Sequence, residues 1–432
     1  MFRELFNKPL FVVIYPYKFT DFVYDLIELD EFKRYCDVQV WDISPITTPK
    51  FSKGISAKKS NKKEIVVVLN FLDLIRHVNQ LRKHSSDTKI CILNEVPFGS
   101  ASEFFCNLII NTLLNRRDIA IFDLYNGGVP IHYIGKASKP PQINFMTGFL
   151  AKANRFARNT TTISEAYNQI SGIFLGLLAR FMPSAITHRF VAGEDWMAFA
   201  KKNGLRNNQI RLIYGHSHDY SNNLLFELKS ATFERLRQKI AVLLDGAGPA
   251  FGSDSIHMGR KIYFTSEAWY PALSRFFDQL EVETGVQIEI AGHYKSVHPP
   301  ISPYFGNRHV YYGKTREMVR NCEFVITRTS TAISYAVMFR KPVIFIYSNQ
   351  LKHDRNAMRD INGMAEMLGT VPVNIDEPQV EIQGLLKINE ERYLNYEKAC
   401  LTSVMSKKPN VQIILEEIMN IPFKPNFIKQ TK

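Results

Sequence analysis

Residues 323–348 read EFVITRTSTAISYAVMFRKPVIFIYS, and their pattern decides the class of fold. Phe324 to Thr327 form a short, apolar, β-branched run of the kind that makes a buried strand. The run enters a polar turn, Arg328-Thr329-Ser330-Thr331. Residues 332–339 suit a helix, with small side chains that allow close packing on a sheet. Arg340 and Lys341 follow, where the helix dipole favours positive charge. Pro342 stops the helix, and residues 343–347 (VIFIY) make a second buried strand. The unit is therefore β-loop-α-β, with three hydroxyls at a helix N-terminus. Backbone N–H groups, the dipole and Ser/Thr side chains make such a turn an anion site. A plain helix cap by Ser330 or Thr331 accounts for the same residues, and one N-terminus can cap when empty and bind when filled.

The whole chain has 432 residues, more than one hydrophobic core usually supports, which predicts two domains. Apolar content of 45% and charged content of 22% belong to a globular protein, not a disordered one. The net charge of +13 suits anionic headgroups, nucleic acid or a phosphorylated substrate equally well. Lys50, Lys53, Lys58, Lys59, Lys62 and Lys63 crowd one polar segment, which a solvated loop also explains. No strand pair interleaves basic and aromatic residues, so nucleic acid is not an expected partner.

The five cysteines are widely spaced, odd in number and without CxxC, predicting reduced thiols in a cytoplasmic protein. The first residues, MFRELFNKPLFVVIYPY, read as a strand and not as a signal peptide. Residues 170–184 contain Arg180 and Pro183 and are too short to span a membrane, so they read as a core helix.

Strand patterns recur at 11–15, 38–42, 65–70, 89–94 and 119–122, separated by helical patterns at 19–35, 72–83 and 103–114. Further helices are expected at 149–158 and 163–181, and strands at 188–191 and 210–214. A second series begins near residue 239, with strands at 240–244, 286–291, 309–312, 324–327, 343–347 and 371–375. Helices at 266–285, 315–322 and 355–368 alternate with them, and 392–404 and 411–419 are terminal helices. Such alternation predicts α/β architecture, two successive parallel-sheet domains with a cleft between them. The expected boundaries are residues 1–235, 236–385 and 386–432, the last a helical segment packing back on the domains.

Ligands of open α/β sheets bind beyond the carboxyl ends of strands, which selects four loops in the second half. Asp245 leaves a strand into a glycine-containing loop, DGAGPAFGSDS, that also holds Asp254. Either carboxylate can act as a general base, although an Asx-type turn explains Asp245 equally well. The loop lacks both the dinucleotide fingerprint and a P-loop. His293, with Lys295 beside it and His298-Pro299 beyond, suits phosphate contact. Gly313-Lys314-Thr315 and the turn Arg328-Thr329-Ser330-Thr331 complete the set. His216, His218 and Asp219 form the one metal-like grouping, HxHD, without matching partners elsewhere. No nucleophile elbow is present.

The succession LLDG, IAGHYKS, YYGKT and RTSTAISYAVMFRKPVIFI over residues 240–348 resembles the donor-binding half of GT-B glycosyltransferases. More narrowly, it resembles the bacterial sialyltransferase-like proteins of lipopolysaccharide and capsule assembly. The resemblance implies two Rossmann-like domains facing across a cleft (GT-B). It implies transfer of a sugar, such as a CMP-linked nonulosonic acid, to a glycan or lipid-linked glycan, inverting and without metal or cofactor. Ser330-Thr331 match the family's Ser-Thr motif. His293 takes the place of its His-Pro motif, with Tyr294 where proline is expected and a literal His298-Pro299 five residues on. Asp245-Gly246 corresponds to its acidic-Gly motif, with Leu244 in place of the first acid. The implied donor-binding residues are His293, Lys295, Thr315, Thr329, Ser330 and Thr331. The candidate bases are Asp245 and Asp254, or a first-half acid such as Glu95 or Asp123. The expected setting is the cytoplasm, with peripheral contact to an anionic inner membrane. A nucleotide-sugar epimerase or hydrolase of the same fold, or a non-catalytic glycan-binding relative, remain as alternatives.

Overall fold

The computed structural model describes residues 8–49, 59–85, 88–97, 100–115, 119–125, 127, 184–204, 210–229, 239–246, 248–250, 262–293, 298–378, 381–402 and 404–421. Two parallel sheets organise them. The first comprises β1 (Leu10–Tyr15), β2 (Asp37–Asp42), β3 (Ile65–Val67), β4 (Ile90–Asn94), β5 (Ile119–Tyr125), β6 (His188–Ala192) and β7 (Arg211–Gly215), in the order β3-β2-β1-β4-β5-β6-β7. Its strands pair in parallel throughout. In β1, Phe11 and Val13 enter the core on one face, while Val12 and Ile14 enter the core on the other. A strand covered on both faces has to be apolar at every position, and β1 is.

The second sheet comprises β8 (Ile240–Leu244), β9 (Gln287–Ala291), β10 (Ile301–Ser302), β11 (Arg308–Tyr311), β12 (Phe324–Thr327), β13 (Val343–Tyr347) and β14 (Val373–Asn374). Its order is β10-β11-β9-β8-β12-β13-β14. All pairs are parallel except the short edge strand β10, which runs antiparallel to β11. The chain thus builds two Rossmann-like α/β domains, as the alternation of strand and helix patterns predicts.

Among the described residues, the α-helices of five residues or more in the first domain are α1 (Asp21–Leu26), α2 (Leu29–Lys33), α3 (Phe71–His84), α4 (Ala101–Leu113), α5 (Glu194–Gly204) and α6 (His218–Lys229). Those of the second are α7 (Ser266–Thr284), α8 (Thr315–Asn321), α9 (Ile333–Met338), α10 (Arg355–Leu368), α11 (Glu390–Tyr396) and α12 (Asn410–Asn420). Local capping starts several of them. Ser100 and Glu103 form a reciprocal capping box on α4, and Asp354 accepts from the N–H groups of Asn356 and Ala357 on α10.

Long-range contacts shift the expected boundaries. The helix expected at 19–35 is broken into α1 and α2 by Glu28, which adopts φ 61°. Glu28 is buried and accepts a 2.6 Å hydrogen bond from the Ser221 hydroxyl on α6, so a tertiary bond overrides the local helical preference. Strand β3 ends at Val67 because Asn70 caps α3, accepting from the Asp73 N–H at 3.0 Å. The helix expected at 392–404 is α11 followed by a π-helical turn, Glu397–Leu401. The helices expected at 149–158 and 163–181 lie outside the described residues. Among the described residues no helix is long and apolar enough to cross a membrane.

The C-terminal segment serves both cores. Tyr393, Tyr396, Cys400 and Leu401 join the core of the second sheet. Val411, Ile414, Leu415 and Ile418 of α12 return to the first, beside Phe11, Phe32 and Val40. Each such burial contributes roughly 1.5–3 kcal/mol. Between them the π-helical turn abuts the β6–α5 connection at Gly193. A Cβ there would stand 2.3 Å from the Ala399 carbonyl oxygen, and Gly193 has φ +80°. Gly193→Ala combines left-handed strain with a backbone clash and is expected to destabilise the protein by at least about 2 kcal/mol, read as a lowered midpoint in denaturant unfolding.

Candidate functional site

Each sheet has one place where the strand order reverses. In the first the chain moves from β1 through β2 to β3, then crosses to β4 on the other side of β1. In the second it moves from β8 to β9 and β11, then crosses to β12 on the other side of β8. Helices diverge at such reversals and leave a crevice beyond the carboxyl ends of the two strands, where ligands of this architecture bind. The first crevice lies beyond β1 and β4 and the second beyond β8 and β12.

The carboxyl edges of the two sheets meet at α6. This helix starts just past β7, and Asp219 in its first turn accepts a short hydrogen bond from the Ser334 hydroxyl. Ser334 is in the first turn of α9, just past β12. One helical face of α6 continues the seam. Arg316 of α8 donates to the Asn222 carbonyl at 3.4 Å and stacks 3.5 Å from the Phe226 ring centroid.

In the second crevice, Arg328 follows β12 and reaches over the loop that follows β8. Its Nη2 lies 3.2 Å from where a Gly246 Cβ would stand, and its guanidinium carbon lies 4.8 Å from the Phe264 ring centroid. A Cβ at Gly246 would press the guanidinium back by a few tenths of an ångström, whereas one at Gly248 would stand at ordinary contact, 3.4 Å from the Phe264 ring and 3.5 Å from the guanidinium. The turn after Arg328 binds mostly to itself. Ser330 Oγ accepts from the Ala332 N–H at 3.2 Å, and the N–H groups of Ile333, Ser334 and Tyr335 reach carbonyls three residues back. Helix α9 is therefore shorter than the expected 332–339 and opens in tight turns; its N-cap is Ala332, without a side-chain cap bond, and Ser330 closes the turn ahead of it instead of capping the helix. Thr329 is half-buried and Thr331 exposed at the same edge.

Asp245 is 7% exposed and follows β8, where its carboxylate lies 3.7 Å from Nε2 of the equally buried His298. Both are buried, with the Phe305 and Tyr304 rings against the imidazole at 5.0 and 5.7 Å. The His298 N–H donates to the Tyr312 phenol oxygen at 2.5 Å. Tyr312 also covers Gly292, whose missing Cβ would lie 2.5 Å from the ring. His293 is half-buried on that loop, and Thr315 is half-buried in the first turn of α8. Asp254 and Lys295 lie outside the described residues.

The first crevice contains an acid with unusual properties. Glu95 immediately follows β4, and its N–H donates to the Ile14 carbonyl at 3.0 Å. A buried amide network fixes the loop. Asn94 donates to Asn107 at 3.0 Å, and Asn107 in turn donates to the carbonyls of Val96 and Pro97 at 3.1 and 2.9 Å. Burial, reinforced by the neighbouring Asp123 carboxylate, pushes the Glu95 carboxyl up to about 7. Asp123 is held by Arg189, whose Nε lies 3.0 Å from both carboxylate oxygens and whose Nη2 lies 2.6 Å from one of them. The Arg189 guanidinium also lies 4.5 Å from the Tyr125 ring centroid. Asp123 itself sits above the ordinary carboxylate range, because burial outweighs the bond to Arg189.

The HxHD grouping does not converge. His216 Nδ1 bonds the Thr402 hydroxyl at 2.8 Å, His218 bonds the Leu26 carbonyl, and Asp219 turns to Ser334. Burial lowers both histidines to about 4, so they are neutral seam residues. Among the described residues no cluster of metal-ligating side chains occurs. Of the lysine-rich segment, Lys59 reaches the buried Asp42 at 3.5 Å and Lys62 lies 3.7 Å from the Tyr24 ring centroid. Arg328 belongs to a loop that the residue pattern selects, but neither its reach over the β8 loop nor the reversal points were visible there, because strand order is a property of pairing.

No protein-family model matches the chain, and no curated protein does. Among solved structures it is similar to UDP-GlcNAc 2-epimerase from Methanocaldococcus jannaschii, at 9% identity over 95% of this chain and 99% of that one, with a TM-score of 0.44. The Neisseria meningitidis UDP-GlcNAc 2-epimerase bound to UDP-GlcNAc gives 10%, 95%, 99% and 0.46 on the same measures. The glycosyltransferase SnogD from Streptomyces nogalater gives 9%, 96%, 100% and 0.40. The fold assignment here rests on the sheet order of this chain.

Because Asp123 helps to hold the Glu95 proton, Asp123→Asn is expected to lower the Glu95 titration midpoint from about 7, as read by carboxyl NMR. Arg189→Met leaves Asp123 as a buried charge without its partner and is expected to cost about 3–5 kcal/mol in denaturant unfolding.

Proposed function

We propose that the chain is a nucleotide-sugar-dependent enzyme, and specifically a glycosyltransferase that works without metal or cofactor. The observation that carries this reading is the placement of an acid, Glu95, and a cation, Arg328, at the reversal points of two apposed sheets. The nucleotide-sugar phosphate lies in the second crevice, against Arg328 and the hydroxyls of Thr329 and Thr331, with His293 and Thr315 at the neighbouring strand ends. The acceptor hydroxyl approaches Glu95 in the first. Its oxygen attacks the anomeric carbon, the bond from that carbon to the phosphate oxygen breaks, and the hydroxyl proton passes to the Glu95 carboxylate. Fixed dipoles and the guanidinium stabilise the charge that develops on the leaving phosphate. A carboxyl poised near 7 suits proton transfer at neutral pH. The buried pair Asp245–His298 supports the second crevice from behind, so proton transfer is assigned to Glu95 in preference to Asp245.

The sharper form of the proposal takes a CMP-linked nonulosonic acid as donor and a surface glycan or lipid-linked glycan as acceptor. Its support is the resemblance of residues 240–348. A second reading, nucleotide-sugar epimerisation or hydrolysis, is favoured by the closeness of two carboxyl groups, Glu95 and Asp123, since epimerisation needs both an acid and a base. Incubating each nucleotide sugar without acceptor separates the two: turnover without acceptor supports epimerisation or hydrolysis and overturns transfer.

Arg328→Ala is expected to weaken CMP or UDP binding by about 1.5–3 kcal/mol in calorimetry. Unaltered affinity would remove the nucleotide from this crevice. Glu95→Gln is expected to leave nucleotide affinity intact and to reduce kcat/KM by about 10²–10⁴. As Glu95 works ionised, wild-type kcat/KM should rise with pH through about 7, and that limb should vanish in the variant.

A further inference from the structure

Asp219 belongs to the first half of the chain, yet its carboxylate is bound by side chains of the second. It accepts hydrogen bonds from the hydroxyls of Ser334 and Tyr335, on the first turn of α9. Ser334 is fully buried, and its hydroxyl also lies 2.9 Å from the Thr331 carbonyl. The single hydroxyl proton therefore has two acceptors, and an ionised carboxylate is the stronger. The Thr331 carbonyl is in addition bonded by the Ser334 N–H at 3.2 Å. Ser334 is thus the point where the seam and the turn Thr329-Ser330-Thr331 share one side chain.

The other contacts of α6 fix Asp219 in place. Asn222 and Phe226 lie on the same helical face and meet Arg316 of α8, while Ser221 on the opposite face bonds Glu28 at 2.6 Å. The Ser221 hydroxyl also accepts from the Asn410 N–H at 2.8 Å, which ties in α12. Helix α6 is therefore gripped by both domains. Any change in their relative position is felt at Asp219, and through Ser334 at the turn beside Arg328.

We propose that Asp219 is a positioning residue, through which the domain seam sets the backbone of the Thr329–Thr331 turn and so the readiness of the second crevice to take an anion. The link to nucleotide binding rests on the function proposed above, whereas the link from seam to turn does not.

Two measurements on the full chain keep these apart. The first is amide hydrogen exchange without ligand in Asp219→Asn, Ser334→Ala and the double variant. We expect exchange across residues 331–335 to rise about tenfold in each single variant, with β12 and β13 as protected as in wild type. The double variant should add little to either single one, because both cut the same connection. Unchanged exchange of the turn in both single variants overturns the proposal. So does loss of protection throughout both sheets in both variants, which marks a merely structural bond. The second measurement is CMP and UDP affinity by calorimetry. Weakening of about tenfold in Asp219→Asn, absent further loss in the double variant, supports the link to the anion site. Equal affinity in wild type and both single variants, with exchange raised, overturns that link alone. Should wild type bind neither nucleotide, the functional reading falls and the exchange result still decides the role of Asp219.

Discussion

A parallel sheet places the carboxyl ends of all its strands on one edge, and it can change its direction of growth only by stepping across its first strand. Nearly everything of functional interest here follows from that constraint acting twice. β1 and β4 open one crevice, β8 and β12 open another, and the short link across α6 brings both edges together. The charged groups at the crevices are held by structure one residue deeper in the fold. The Asn94–Asn107 network sets the loop of Glu95, while the absent side chain of Gly246 leaves room for Arg328.

Acid and cation owe their charge states to different causes. Glu95 is desolvated and stands beside another carboxylate, so its proton is hard to remove. Arg328 needs no tuning because a guanidinium remains charged at any relevant pH. Asp123 is a third case, a buried acid whose charge is sustained by a fork of bonds from Arg189. The same residue type, carboxylate, therefore appears as a desolvated acid with its proton held, as an ion-pair partner and, at Asp219, as an acceptor of hydroxyl bonds across the seam. Composition says nothing of these differences, which come from neighbours distant in sequence.

The two-domain α/β architecture was legible because buried parallel strands must be apolar along their whole length, and runs such as residues 11–15, 324–327 and 343–347 are. Boundaries failed where distant residues intervened, as at Glu28, where Ser221 draws the chain into a left-handed turn, and after Tyr396, where the helix widens. The hydroxyl turn was rightly located after a strand, but its N–H groups are used internally, which no local pattern reveals. Asp245 read as either a candidate base or a turn residue, because nothing in DGAGPAFG announces that His298, more than fifty positions away, shares its burial. Glu95 was one candidate among several, and only the sheet order shows that it stands at the first reversal point.

The return of α12 to the first domain has a consequence for biogenesis. Synthesis proceeds from the N-terminus, and domains commonly fold as they emerge from the ribosome. Here the sheet that emerges first leaves Phe11, Phe32 and Val40 without the side chains of Val411, Ile414, Leu415 and Ile418 until the second domain has also been made. The nascent first domain must wait with an uncovered apolar face. A helix made after both sheets, and not the first sheet alone, closes that face.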